Sequence, residues 1–88
     1  MSQTASKGRV VFVKVDPTMN NGDDTAHASI TRVWGEHPEG GRVVNIRVTL
    51  DAFAQDLWLT SVRLFDTEAE ADAVRHLSPG ACYWPPRV

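Results

Sequence analysis

Cysteine is almost absent from this chain of 88 residues, whose only thiol is Cys82. An internal disulfide is therefore excluded, and a lone thiol favours a reducing compartment. Long hydrophobic runs are also absent: the apolar stretch 10–15 is interrupted by Lys14 and is far too short to cross a bilayer. No early segment has the layout of a signal peptide. We expect a cytoplasmic protein with no membrane partner.

Neither sign of charge dominates, since nine Lys and Arg residues face eleven Asp and Glu residues and leave a net charge of −2. No global field therefore attracts nucleic acid or an anionic membrane. Lysine is scarce, with two residues against seven arginines. This usage, together with frequent Ala and Val, is typical of a GC-rich genome and indicates an actinobacterium or one of its phages.

Motifs for catalysis or metal binding are missing as well. Ser29, Ser61 and Cys82 do not lie in a strand–turn–helix nucleophile elbow. The three histidines and the cysteine lack the spacing of a zinc site, and the acidic turn 16–24 does not align with a calcium-binding loop. We therefore expect no enzymatic activity, no cofactor and no metal.

The stretch "DTEAEADAVRH", residues 66–76, concentrates four carboxylates and raises the question of a metal site. Thr67 and Glu70 have the spacing of a capping box, and acidic residues are favoured in the first turn of a helix. A carboxylate–histidine metal site formed by Asp72 and His76 is the alternative. Because capping and solvation account for all of these residues, we predict a helix of about eleven residues with a solvated acidic face.

Apolar and polar residues alternate in four stretches, which predicts four β-strands. The stretches are RVVFVKV, HASITRVW, RVVNIRVTL and LWLTSVRLF. The third is the clearest, because every second residue is a large aliphatic one. Its apolar face consists of Val44, Ile46, Val48 and Leu50. Such a pattern is typical of a strand with one buried face.

The same alternation predicts the faces of the other strands. In the second strand it places Trp34 on the side of Ile30. In the fourth strand it places Trp58 and Val62 on one side and Arg63 on the other.

These elements predict an α+β fold: a four-stranded, mainly antiparallel sheet with one C-terminal helix on one face, in the order β-β-β-β-α. The chain forms a single domain, 1–88. Residues 1–8 are expected to fray, and the proline-containing tail 79–88 to pack as a terminus. The segment 51–58 is predicted as either a helical turn or a loop.

Arginine and aromatic residues cluster on the side of the predicted sheet that one helix cannot cover. Arg47 shares the polar face of the third strand with Asn45. Arg and Trp are enriched in protein interfaces, and the same pairing of residue types stacks bases in single-stranded nucleic-acid binders. The candidate interface residues are Arg47, Arg63, Trp34, Trp58, Tyr83 and Trp84.

The function we predict is a non-enzymatic protein-interaction or regulatory module that acts through a sheet face. Single-stranded nucleic-acid binding by Arg and aromatic residues is the alternative, and an ordinary solvated face is the third interpretation of the same pattern. An open sheet leaves apolar residues on its uncovered side, so we also expect a homodimer through the sheet face or an edge strand, with Trp58 or Trp84 near its centre.

Overall fold

A computed structural model describes residues 4–51 and 56–86 of the chain. Its strands form a closed barrel in the order β1-β2-β3-β4-β5, and a short 3-10 turn follows β1. The elements are β1 (Val10–Lys14), the 3-10 turn (Pro17–Met19), β2 (Thr25–Glu36), β3 (Arg42–Val48), β4 (Leu57–Phe65), α1 (Glu68–Val74) and β5 (Cys82–Tyr83).

The predicted α+β class is compatible with this fold, but the predicted strand count is wrong. A fifth strand, β5, pairs antiparallel with β1 and parallel with β4, and so closes the sheet. It has only two residues, too few to show any alternation in the sequence. Parallel neighbours need a crossover connection, and α1 lies in the one that joins β4 to β5.

The return from α1 to β5 runs close against the barrel at Gly80. A Cβ atom at this position would lie 2.5 Å from Cγ1 of Val62, which no side chain tolerates without a shift. Glycine therefore lets the connection approach β4 closely enough to bring β5 into its place.

The inward side chains of all five strands meet in one core, as expected of a barrel this small. The predicted apolar face of the third strand is confirmed, because all four of its residues are buried. The largest fully buried side chains are Val11, Val13, Ile30, Val44, Ile46, Val48 and Cys82. Trp84, directly after β5, belongs to the same core.

Irregular pairing changes which way the second half of β2 faces. Two register shifts in the pairing with β3 occur between Ile30 and Arg32 and between Val33 and Gly35. Each extra residue reverses the alternation beyond it. The predicted position of Trp34 beside Ile30 is therefore wrong: Ile30 is buried, whereas Trp34 is on the outer surface and 52% exposed.

A second irregularity reverses the alternation within β4. Thr60 and Ser61 together stand opposite Asn45, between the pairs Ile46–Leu59 and Val44–Val62. Ser61 adopts a left-handed backbone with φ of 56°, as an inserted bulge residue can. Val62 consequently points into the barrel rather than sharing the outer side with Trp58.

The predicted capping box of α1 is confirmed. The hydroxyl of Thr67 accepts a hydrogen bond from the backbone N–H of Glu70 at 3.3 Å, and the Glu70 carboxylate accepts one from the backbone N–H of Thr67 at 3.2 Å. The helix has seven residues, fewer than predicted, and continues into turns from Arg75 onward. Ala71 is its buried residue and packs in a small cluster with Tyr83.

Three predicted segments outside the strands, 1–8, 51–58 and 79–88, lie only partly within the described residues 4–51 and 56–86. Residues 1–3, 52–55 and 87–88 lie outside the described part, and with them half of the 51–58 segment. Within the segment predicted to fray, the N–H of Gly8 donates to the carbonyl of Ile30 at 2.8 Å. No helix in the described ranges is long and apolar enough to cross a membrane.

Candidate binding face

Two of the three tryptophans lie on the outer wall of the barrel, on neighbouring parts of β2, β3 and β4. Trp34 and Trp58 are each 52% exposed. Arg47 is the paired residue of Trp58 across β3 and β4, and Arg32 is the paired residue of Asn45 across β2 and β3. We call this surface the Trp34–Trp58 face. It consists of Arg32, Trp34, Asn45, Arg47, Trp58 and Thr60.

Asn45 connects three strands beneath this face. Its side-chain oxygen accepts hydrogen bonds from Nε1 of Trp34 at 3.0 Å, from Oγ1 of Thr60 at 3.0 Å and from the backbone N–H of Ser61 at 2.8 Å. The side chain is almost fully buried. One amide thus holds the bulge of β4 and fixes the indole of Trp34, which therefore loses little freedom on binding a ligand.

Among the described residues, no carboxylate pairs with either arginine of the face. The guanidinium of Arg32 lies 4.0 Å from the ring centroid of Trp34, a cation–π contact. The ion pairs within residues 4–51 and 56–86 involve Lys14 and Arg75, so no described carboxylate lies within 4.0 Å of Arg32 or Arg47. Both cations remain available to a ligand.

Charge is strongly segregated between the barrel wall and the rest of the chain. Of the eleven acidic residues, only Glu36 lies in β1–β4, so the other ten lie in loops, turns and α1. Five of the nine cationic residues are in these strands: Lys14, Arg32, Arg42, Arg47 and Arg63. The strands of the barrel wall are therefore basic, although the whole chain has a net charge of −2.

Arg63 lies on the wall but is not part of the exposed face. It is 8% exposed, and its guanidinium donates to the carbonyl of Glu39 at 2.9 Å and to that of Gly40 at 2.9 and 3.1 Å. It also lies 5.0 Å from the ring centroid of Phe65. These contacts fasten the β2–β3 hairpin against β4, which is a structural role.

Tyr83 and Trp84, the other two aromatic candidates, are buried in the closure of the barrel. Tyr83 meets Phe12 edge-to-face, with ring centroids 6.1 Å apart. Burial raises the pKa of the Tyr83 hydroxyl. Trp84 fills the core, and the guanidinium of Arg9 lies 5.0 Å from its ring centroid. The structure therefore brings together three of the six candidates: Trp34, Arg47 and Trp58.

Sequence reasoning missed Arg32 as a member of the face, because strict alternation directs it toward the core. An arginine at an inward position of an otherwise apolar strand is itself a signal that the register shifts nearby. The clamping role of Asn45 had no such signal, since its partners Thr60 and Ser61 follow it by 15 and 16 residues.

The acidic helix, which raised the possibility of a metal site, has structural partners instead. Glu68 forms an ion pair of 2.8 Å with Lys14, and this hydrogen bond is the main reason why the pKa of Lys14 is raised. Asp72 pairs with Arg75. In the ranges 4–51 and 56–86, no group of three or more His, Cys, Asp and Glu residues could hold a metal ion.

Cys82 is buried beside the hydrogen-bonded backbone of β4, and its Sγ donates to the carbonyl of Arg63 at 3.6 Å. Burial raises the pKa of this thiol to about 12. A thiol held in its neutral form is a poor nucleophile, so Cys82 acts as a small core residue.

Comparisons with protein-family models, with curated proteins and with solved structures found no match to this chain. The Trp34–Trp58 face offers two aromatic anchors, two arginines that form no ion pair with a described carboxylate, and a buried amide that orients one of the anchors. Tryptophan and arginine are the residue types most often found at the centre of protein interfaces.

Proposed function

We propose that this protein is a non-enzymatic interaction module that docks another protein through the Trp34–Trp58 face. The observation that carries the proposal is the exposure of two tryptophans on one wall, each 52% accessible. Leaving a large apolar side chain in water forgoes about 1.5–3 kcal/mol of burial energy. A partner that covers both indoles recovers this free energy.

The preorganisation of the face supports the same function. Because Asn45 already holds Trp34, docking does not have to order that side chain, which costs about 0.5–1.5 kcal/mol for a mobile one. Tryptophan and arginine are also the residue types that most often dominate the binding energy of protein interfaces. Arg47 opposite Trp58 supplies this combination on adjacent strands.

A capture experiment with matched variants tests the proposal. Wild-type protein, Trp58→Ala and Leu77→Ala are immobilised, and proteins retained from a lysate of the native host are identified by mass spectrometry. Leu77 is the control because it is 73% exposed but lies in the turn after α1, outside the face.

A partner purified from this experiment should bind wild type and Leu77→Ala alike. Its affinity for Trp58→Ala should fall about thirtyfold or more, equivalent to the loss of about 2 kcal/mol that defines an interface hot spot. Equal affinity for all three proteins would show that docking does not use the Trp34–Trp58 face.

A second candidate function is the binding of single-stranded nucleic acid. The observation in its favour is the alternation of cations and rings on the face, with Arg32 stacked on Trp34 and Arg47 opposite Trp58. Such faces bind by base stacking and phosphate contacts, with an affinity that falls steeply as salt rises. Fluorescence anisotropy of a labelled single-stranded oligonucleotide, with wild type and Trp58→Ala at low and high salt, tests it.

A further inference from the structure

We infer that the segment docked on the Trp34–Trp58 face is acidic: an extended stretch of a partner protein that carries carboxylates beside an apolar side chain. This inference rests on the proposed function and specifies the chemistry of the partner. Three properties of the face lead to it: two arginines that form no ion pair with a described carboxylate, their diagonal spacing on adjacent strands, and the carboxylates at both ends of the face.

Because Arg47 lies next to Trp58, a partner that buries Trp58 also has to supply an anion for Arg47. The two residues are directly paired across β3 and β4, so a partner that covers Trp58 also covers Arg47. A guanidinium removed from water without a counter-charge costs several kcal/mol. No described carboxylate of this chain lies within ion-pair distance, so the partner has to provide one.

The spacing of the two arginines suits an extended chain. Arg32 stands opposite Asn45, and Arg47 lies two residues further along β3. The two arginines are therefore diagonal neighbours on adjacent strands, about 7–8 Å apart, which is close to the repeat of about 7 Å between side chains that point to the same side of an extended peptide. Carboxylates at alternate positions of such a peptide match this separation.

The Trp34–Trp58 face is short and has carboxylates near both of its ends, which favours a peptide over a nucleic acid as the ligand. Strand β3, with seven residues, is about 23 Å long. The exposed residues Glu36 and Glu39 lie at the hairpin end, and Asp51 and Asp56 lie near the other end. A polynucleotide that continued past either end would meet negative charge, whereas a short acidic segment would not.

A second copy of this chain is a poorer occupant for the same electrostatic reason. A two-fold pair through the face would bring the arginines of one copy toward those of the other. The acidic residues of α1 do not resolve this conflict, because they already have partners within the chain. Glu68 pairs with Lys14, Glu70 with Thr67, and Asp72 with Arg75.

Selection from a library of short random peptides displayed on phage tests the inference. The library is selected on the wild-type protein after depletion on Trp58→Ala, so that the retained peptides depend on the face. We expect Asp and Glu to be enriched at alternate positions around an apolar residue. A pool of random single-stranded oligonucleotides is carried through the same selection in parallel.

One enriched peptide is then synthesised, together with a version in which Asn and Gln replace its acidic residues. Arg47→Gln should weaken binding of the acidic peptide about tenfold or more, and the neutral peptide should lose a similar factor on wild type. Lys7→Gln is the matched control, since Lys7 is an exposed cation outside the face. Raised salt should also weaken the acidic peptide.

The outcomes separate the inference from the function on which it rests. Enrichment of neutral or basic peptides that depend on Trp58 would overturn the acidic partner and leave the docking function standing. Enrichment of oligonucleotides alone would replace both with nucleic-acid binding. If neither pool yields a ligand that depends on Trp58, both the docking function and the acidic partner are wrong.

Discussion

Two pairs of aromatic residues in this protein have opposite environments. Trp34 and Trp58 lie on the outer wall and are each 52% exposed, whereas Tyr83 and Trp84 are 4% and 5% exposed. Tyr83 packs with Ala71 of α1, and Trp84 lies in the barrel core. The difference follows from position in the closed sheet and not from the hydrophobicity of the residues, since both pairs contain tryptophan.

The buried pair stabilises the closure of the barrel by β5. This strand has two residues and pairs with each neighbour through only two residue pairs, so few backbone hydrogen bonds hold it in place. Burial of Tyr83 and Trp84 supplies the stabilisation that this short strand lacks, because an aromatic side chain buries about 150–250 Å². The exposed pair buries less of its surface within the fold, and about half of each indole remains accessible to solvent.

The largest expected effect distinguishes the two pairs by stability. Trp84→Ala should lower the free energy of unfolding by about 3–5 kcal/mol, because it empties a large part of the core. Trp58→Ala should change it by less than about 1 kcal/mol, because the side chain is already half solvated. Urea unfolding followed by circular dichroism measures both. Equal destabilisation by the two variants would contradict the division between a closing pair and a binding pair.

The reactivity of Cys82, the first residue of β5, reports whether this strand stays paired with its neighbours. The pKa of Cys82 is about 12 against an ordinary 9.0, so at mildly alkaline pH the thiolate fraction is roughly a thousandfold lower than in the unfolded chain. We expect alkylation by iodoacetamide to be slow in native protein and fast in urea. Rapid labelling without urea would show that β5 opens while the rest of the barrel stays folded.

The same pKa shift predicts how stability depends on pH. Between pH 9.0 and about 12 the folded state keeps the Cys82 proton and the unfolded state loses it. Stability from this group is therefore fully present below pH 9.0 and declines as pH rises through this range. Cys82→Ala should remove this part of the decline, which urea titrations at a series of alkaline pH values would detect.

The next effect concerns the exposed pair and the amide beneath it. Asn45→Ala leaves the indole N–H of Trp34 and the backbone N–H of Ser61 without their acceptor, and should cost about 1–3 kcal/mol. Thr60→Val is the matched control, because it removes one donor and leaves the amide with the other two.

Nuclear magnetic resonance of the indole N–H groups gives the structural readout for these variants. Asn45→Ala should speed hydrogen exchange at the Trp34 indole, whereas Thr60→Val should change it little. Unchanged exchange in Asn45→Ala would mean that the amide does not orient this side chain.

The smallest expected effect concerns self-association. The homodimer expected from the sequence stays a prediction, but closure of the barrel already buries Trp84, leaving this residue almost no surface to offer. Within residues 4–51 and 56–86, one edge of β4 has no strand partner over residues 57–62, and we expect any self-pairing to use this edge.

Light scattering at micromolar concentration should therefore give the same mass for wild type and Trp34→Ala, because Trp34 lies on β2, away from that edge. A fall from dimer to monomer mass in Trp34→Ala would place the self-interface on the Trp34–Trp58 face, and would count against a different protein as its ligand.

Features that depend on neighbouring residues were determined by the sequence alone. Alternation over residues 44–50 identified β3 and its buried side, because each side of a strand repeats every two residues. The capping box of Thr67 and Glu70 was equally readable, because its hydrogen bonds join residues three apart. These local signals were sufficient for the α+β class and for one helix after the fourth strand.

The tertiary structure alone decided which arginines and tryptophans face solvent. One extra residue in a strand reverses every side chain beyond it, and whether the bulge forms depends on the partner strand. For β4 that partner is Asn45, which accepts the N–H of Ser61 from 16 residues away. Closure by β5 likewise depended on contacts with β1, about seventy residues earlier in the chain. Contacts of this range leave no periodic pattern in the sequence, because they arise only when distant strands meet.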